Sequence, residues 1–476
     1  MIVATLALLT LQQPAAGTAL PRPARDTAAG RPCVIEIDSL ARVHQLASGA
    51  DTNVYMAGGV LAHCRGTGTT FRSDSAAYYG GLKRWDMVGR AHVVDTTLTL
   101  DANQIIYYLR QGRLDAHNNV VAVNRQNHST LRGPNLTYYR PVQGVRDTTE
   151  TYATQRPAID YRGAGASDTS EPYVIVADRF RSKGNDRMWW GGSVTVDRSD
   201  LAARGDSMSM DQTGGLGALL GHPTVTGKGA PSYTLTGTRI EMGLSGREMN
   251  AIRALGNGRA AGTDWTLTAD TIHMKLADRK LQQAFAWGPK DSVRARAVSS
   301  TTTLVGDSLA LDTPNQLLTE ARSYRHAHST SKHDSTTADS LADWMSGDTL
   351  TAHWIQAPDS TGKQRSTLSH VVARGMGKAF SHTYPAKPDS TRPKLIQRVD
   401  SLHADTVVDN RPSLNYTTAD LITVRMDKGR VTLVTAVGHV NGFNLDPVAV
   451  KDTTKAATDT TTAKAPGRSR TPVKKP

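Results

Sequence analysis

At 476 residues, with 38% apolar but only 5% aromatic side chains, the chain is poorly supplied for one large globular core. It is adequately supplied for an array in which each repeat covers only its neighbours. Fifty-six Lys and Arg against 43 Asp and Glu leave a formal net charge of +13, scattered except for a basic run between Lys451 and Lys475; with no aromatic-basic surface motif, this argues against nucleic acid and for an anionic partner of another kind.

Residues from Met1 to about Gly17 read as the apolar core and cleavage region of a secretory signal without its usual basic start, so a signal peptide is expected within residues 1–20. No later stretch approaches the roughly 18 consecutive apolar residues of a membrane-spanning helix. In an exported chain the two cysteines, Cys33 and Cys64, read as a disulfide tying the first strand to a near neighbour, with two buried thiols as the alternative.

From there one unit recurs. Its clearest copy is Leu100 to Tyr107: an apolar residue, a spacer, a small residue, Asp or Asn, a spacer, then two apolar residues flanking one more spacer. Phe71 to Tyr78, Leu267 to Met274 and Thr417 to Val424 repeat it. Apolar residues two apart are strand periodicity, and the one-residue slip between the two runs demands a bulge or corner. Corners fall at Asp74, Asn103, Pro134, Asp178, Asp206, Thr238, Asp270, Asp307, Asp348, Asp405 and Asp420, a repeat of roughly thirty residues with insertions. Asp405 and Asp420 are too close for both to mark full units. An Asp or Asn at a corner is expected to bond a nearby backbone N–H.

After each turn a returning strand carries Gly or Asn near its end, as in Met87-x-Gly89-x-Ala91-x-Val93 and Val434-x-Ala436-x-Gly438-x-Val440. Strand, turn, strand, corner predicts antiparallel hairpins and an all-β fold, with repeats over 31–150 continuing through 151–445. The polar stretches 147–168, 322–343, 358–365 and 382–392 read as loops, and 446–476 as a disordered basic tail. Only Ser335 to Trp344 carries a helical signal.

Catalytic and cofactor motifs are absent: there is no HExxH, GxSxG or P-loop, and no GxGxxG after a strand. Thr213 to Gly217 reads as a Gly-rich turn, and His326, His328 and His333 as a solvated loop lacking a fixed carboxylate, so no metal, cofactor or catalytic residue is expected. The corner residues Asp74, Asn103, Asp178, Asp206, Asp270, Asp307, Asp348 and Asp420 read as architecture. The inward face comprises Ile105, Tyr107, Phe180, Trp190, Val194, Val196, Met208, Met210, Ile240, Met242, Ile272, Met274, Leu309, Leu311, Ile422 and Val424. A filled core is the plain reading of such a list, but four methionines at matching positions suit an adaptable surface that meets flexible chains.

Asp101 to Val123, Leu267 to Gly288 and Thr417 to Val440 resemble the repeat of the OstA-like family, the LptA-type periplasmic proteins of lipopolysaccharide transport. The resemblance implies an extended, twisted, V-shaped β-jellyroll whose open apolar groove holds acyl chains, here at the sixteen inward residues. It also implies a periplasmic protein, with outer-membrane association as a further option, that carries lipopolysaccharide or a similar anionic glycolipid without catalysis. Partners would be other envelope lipid-transport proteins, or copies of the chain itself, joined edge to edge through sheet pairing. This chain is longer than typical stand-alone members and lacks the barrel strands that follow the same domain in the translocon protein. The competing expectations are a parallel β-helix enzyme or adhesin acting on polysaccharide, and a purely structural envelope protein.

Overall fold

The computed structural model describes residues 33–163, 171–229, 231–245, 248–288, 294–331, 342–358, 364–383, 394–400, 403–408, 412–427 and 430–446. Among them are thirty-two β-strands, one turn of 3-10 helix at Pro314–Gln316 and no α-helix. The ladders whose register is resolved are all antiparallel, as between Leu98–Tyr108 and Arg113–Asn124 or between Gln364–Thr383 and Ser413–Asp427, which removes the parallel β-helix. Two compact units divide the chain: residues up to Lys228 with Thr236–Ile252, and Gly229–Leu235 with Arg253 onward. The expected signal peptide, the basic tail and His333 lie outside the described residues.

The long strands bend at their middles, and the bend has one recurring construction. Alternate strands carry two successive residues in the left-handed region. In the first unit these are Gly58–Gly59, Gly89–Arg90, Asn118–Asn119, Gln155–Arg156, Gly192–Ser193 and Gly221–His222; in the second they include Gly256–Asn257, Arg325–His326, Gly375–Met376 and Gly438–His439. Opposite such a pair the neighbouring strand supplies a single residue. Asn103 faces Gly89–Arg90, Pro134 faces Asn118–Asn119, Asp206 faces Gly192–Ser193, Asp348 faces Arg325–His326 and Asp420 faces Gly375–Met376. Two residues against one is the count of a bulge, and it turns both strands together. The slip in apolar phase at Asp or Asn is therefore one side of a two-strand device.

Gly89 shows why the other side favours glycine. Its φ is +79°, and a Cβ there would lie 2.5 Å from Asp74 Oδ2. Several corner carboxylates do not follow the expectation of bonding a nearby backbone N–H. They turn to side chains of the left-handed pairs: Asp74 accepts from Arg90 at 2.6 Å and Asp178 from Arg156 at 3.4 Å, while Asp307 lies 3.1 Å from His326 Nδ1 and Asp420 2.7 Å from His439 Nδ1. Asn103 accepts from the Asn119 amide at 3.4 Å and Asp270 from the Thr271 hydroxyl at 3.2 Å. The main chain is tied separately, the N–H of Asp178 donating to Gly192 O and that of Asp420 to Gly438 O, each at 2.9 Å. At Asp74, Asp178, Asp307 and Asp420 the left-handed pair on the neighbouring strand sets a basic side chain against the carboxylate.

Strand halves on either side of the corners form two ladders, each with alternate residues inward. In the first unit one ladder presents Met87, Ile105, Tyr107, Phe180, Trp190, Met208 and Met242; the other presents Phe71, Val93, Leu100, Val120, Ile159, Val194 and Val196, all buried. The two inward faces meet, the rings of Phe71 and Tyr107 standing 5.8 Å apart. In each unit the bonding closes on itself. Thr130–Tyr139 bonds Glu150–Thr154 and Ala158–Tyr161, these bond Arg179–Lys183 and Tyr173–Val176 respectively, and both of those bond Arg187–Asp197. The result is a ring of six strands. A second ring joins Trp265–Ala277, Lys280–Trp287, Ser308–Asp312, Glu320–Ser331, Thr302–Gly306 and Ala295–Ser299.

Several local expectations need correction. The polar stretches 147–168 and 322–343 contain the strands Glu150–Thr154 and Ala158–Tyr161 and most of Glu320–Ser331. Their inward residues, such as Ala153, Ala321 and Ala327, are small and sparse enough for composition to hide the alternation. Trp344 opens the strand Trp344–Pro358, while the rest of the helical signal falls largely outside the described residues. Asp405 lies in His403–Val408, which pairs with Lys394–Asp400 as a separate two-stranded sheet, so Asp420 is the true corner. Cys33 and Cys64 are bonded, with Cα atoms 5.1 Å apart, beside the pairing of Ile35–Ser39 with Asp51–Cys64.

Candidate ligand cavity

All sixteen inward residues named from the sequence are buried, from Ile105, Ile240 and Ile272 at 0% exposure to Phe180 and Val424 at 8%. Register brings Trp190 opposite Met208, Met188 opposite Met210, and Ala284 and Ala286 opposite Leu311 and Leu309. Most of the list is therefore packed interior. Only two of these residues border the cavities described here: Phe180 a cavity of about 370 Å³ in the first unit, and Val424 a cavity of about 40 Å³ in the second.

The larger cavity lies inside the first six-strand ring and is lined by both ladders. Its floor is Ala122, Leu131, Leu136, Ile159, Phe180 and Met188, with the rings of Tyr138 and Tyr161 at its sides. Burial raises the hydroxyl pKa of both tyrosines, that of Tyr161 to about 12, so both remain neutral donors. The volume is that of a small-molecule site. Its ring was not legible in the sequence, since part of it is built from the segment that reads as a polar loop.

The mouth is polar. Turns at the ends of the two ladders approach there, and side chains cross between them. The Asn124 amide donates to Asn185 Oδ1 at 2.9 Å, and the Asn185 amide donates to Gln126 Oε1 at 2.5 Å. Beside this bridge the Tyr138 and Thr97 hydroxyls are 3.0 Å apart. Arg140 reaches from its own ladder end to the Thr69 hydroxyl at 2.6 Å and lies 3.6 Å from Asp95. Asp95, nearly buried, also accepts the N–H groups of Thr97 and Leu98 at 2.7 Å each, and Arg125 donates to its carbonyl at 2.7 Å. None of these residues was singled out by sequence; the available signal was the clustering of amides and hydroxyls at strand ends, which also marks ordinary turns.

Two indole donors in the same unit, Trp85 Nε1 and Trp190 Nε1, are buried without an acceptor among the described residues. Each such group costs about 1–3 kcal/mol. On the outer face, register assembles a row that no local motif shows, Tyr79, Arg84, Tyr108, Arg113 and Tyr139 standing opposite one another in turn. Arg84 lies 4.5 Å from the Tyr79 ring centroid and Arg113 5.0 Å from that of Tyr108. This amends the reading that the chain has no aromatic-basic pattern. Each guanidinium is nevertheless forked onto a carboxylate, Arg84 on Asp86 and Arg113 on Asp115, leaving little charge for a phosphate.

The remaining candidates resolve into structure. Gly214 and Gly215 form the turn after the strand Leu201–Asp211, Gly214 N–H donating to Asp211 at 2.9 Å. His326 pairs with Asp307, whereas His328 stacks on Trp344 at 5.9 Å. No cluster of three or more His, Cys, Asp or Glu able to hold a metal occurs among the described residues. The chain matches no protein-family model, and no curated protein matches it.

Proposed function

We propose that the protein is a periplasmic lipid carrier that holds acyl chains of lipopolysaccharide or a related glycolipid between its two ladders and passes them on without catalysis. In this reading the bent ladders are the V-shaped β-jellyroll that the repeat resembles. The observation that carries it is the pair of apolar inward faces that meet between the ladders, parted in the first unit by a space of about 370 Å³ with a polar mouth. An amphiphile divides its own surface in the same way. The terminal strands fit hand-over to a neighbour. Arg42–Ser48 is exposed throughout and bears Val43 and Leu46, and Asn441–Leu445 is likewise exposed and bears Phe443 and Leu445, so each end offers an apolar strand edge for pairing. The basic surface suits an anionic headgroup lying outside the interior.

Photo-crosslinking amino acids at inward Phe180, Met242 and Met274, compared with outward Glu241 and His273, test the reading in envelope extracts. Glycolipid captured from the inward sites supports it. Capture confined to the outward sites, or to none, rejects it.

A further inference from the structure

We infer that the cavity in the first unit takes one acyl chain bearing an uncharged, hydroxylated head, such as a monoacylglycerol, as a site distinct in chemistry from one for an anionic, many-chained glycolipid. The inference rests on the proposal that the interior holds acyl chains, and adds which kind this cavity accepts.

Size sets the number of chains. A methylene fills slightly less than the ~30 Å³ of a liquid water molecule, so about 370 Å³ accommodates on the order of a dozen. That is one chain of ordinary length, and the closed bonding of the six strands around it leaves no parted strand edge through which a second chain could be laid alongside. A lipid with several chains would have to open a ladder, at the cost of its backbone hydrogen bonds.

Rim chemistry sets the head. Among the described residues, the polar groups lining the cavity are amides and hydroxyls, including Asn124, Asn127, Thr149 and Asn185, and the one charged lining residue is Asp186. No Lys or Arg among the described residues lines it. The nearby guanidiniums of Arg125 and Arg140 are directed at Asp95 and Thr69. An anionic head would meet the Asp186 carboxylate and no countercharge, whereas a glycerol head can both donate to and accept from the amides. The Asn124–Asn185–Gln126 bridge is made of these same exchangeable neutral bonds, so a polyol can replace it bond for bond.

Native mass spectrometry and displacement of a fluorescent fatty-chain probe, on the full chain, would compare monomyristoylglycerol with myristate, tetradecylamine and lipopolysaccharide. Monomyristoylglycerol should bind at least ten times more tightly than myristate. Ile159→Trp, which fills the cavity, should abolish that binding. Should that variant fold poorly, Thr149→Lys at the rim leaves the floor intact and should reverse the preference toward myristate. Tighter binding of myristate or of the amine to the unaltered chain, or monomyristoylglycerol binding unchanged in both variants, overturns the inference. Lipopolysaccharide captured from the inward sites without any binding of monomyristoylglycerol overturns the inference and leaves the carrier reading standing. Binding of neither rejects both.

Discussion

These two six-strand rings have the same strand order, yet they enclose different interiors. The second is filled by residues that interlock at or near zero exposure, among them Leu267, Ile272, Met274, Ala284, Leu309 and Leu311, with alanine opposite leucine across the ladder. In the first, the bulky rings of Tyr138, Tyr161 and Phe180 stand around a space that Thr130, Thr151 and Ser182 border without filling. Large and small residues pair across the ladder in both, Ala153 standing opposite Leu136 and Phe180 in the first, so the difference lies in the residues that border the space. Backbone grammar and interior volume are thus specified by separate residues, and a space can be opened in one ring without disturbing the array.

That contrast can be broken most directly by truncation. Ile272→Ala removes a side chain gripped on all sides and should cost about 3–4 kcal/mol, whereas Ile159→Ala, on the cavity wall with contacts already missing on one side, should cost about half as much. Denaturant unfolding followed by hydrogen exchange in each unit reads both values. Equal costs would mean that the first interior is as tightly filled as the second.

A smaller effect tests whether the corners are indeed shared. Gly192 has φ +81° and lies against the Asp178 carboxylate, so Gly192→Ala should destabilise the first unit by about 1–3 kcal/mol. In an Asp178→Gly background the steric part disappears and the backbone part remains, so the cost should fall by about half. An undiminished cost would assign the whole effect to φ.

The smallest effect separates the units by pH. In the second, burial holds the His328 and His370 pKa values below the ordinary 6.5, so these residues favour the fold when neutral. Their contribution is complete above about pH 6.5 and is lost as pH falls through the depressed folded-state values. In the first, hydrogen bonding to Asp38 raises the His63 pKa, so that its contribution is present below 6.5 and is lost as pH rises through the raised value. His439, raised by Asp420 at the far edge, opposes the trend in the second unit. Exchange protection between pH 7.5 and 5.5 should fall around His328 and rise around His63, and His328→Gln should flatten the first change. Parallel changes at both places would sink this assignment.

Much of the scaffold was readable from residues alone, for a definite reason. A strand buried on one face must alternate, and a corner that keeps its apolar residues inward must slip by one, so Leu100, Ala102, Ile105 and Tyr107 encode both strand and bend. The left-handed partner was visible only as an occasional Gly or Asn, because Gln155–Arg156 and Arg325–His326 adopt the same conformation without either residue. The cavity was not readable. Volume is a difference between what a ring encloses and what its side chains fill, and the ring itself exists only once residues far apart in the chain, such as Ala158 and Arg132, are paired.

The alternation of corner types imposes a parity on this architecture. A strand with a left-handed pair needs single-residue corners on both flanks, as Gly89–Arg90 has Asp74 on one side and Asn103 on the other. Adding one strand would set two like corners side by side; adding a hairpin preserves the sequence of types. Duplication, deletion or grafting in this chain should therefore succeed in even numbers of strands and fail in odd ones, giving the array a natural quantum for growth by recombination.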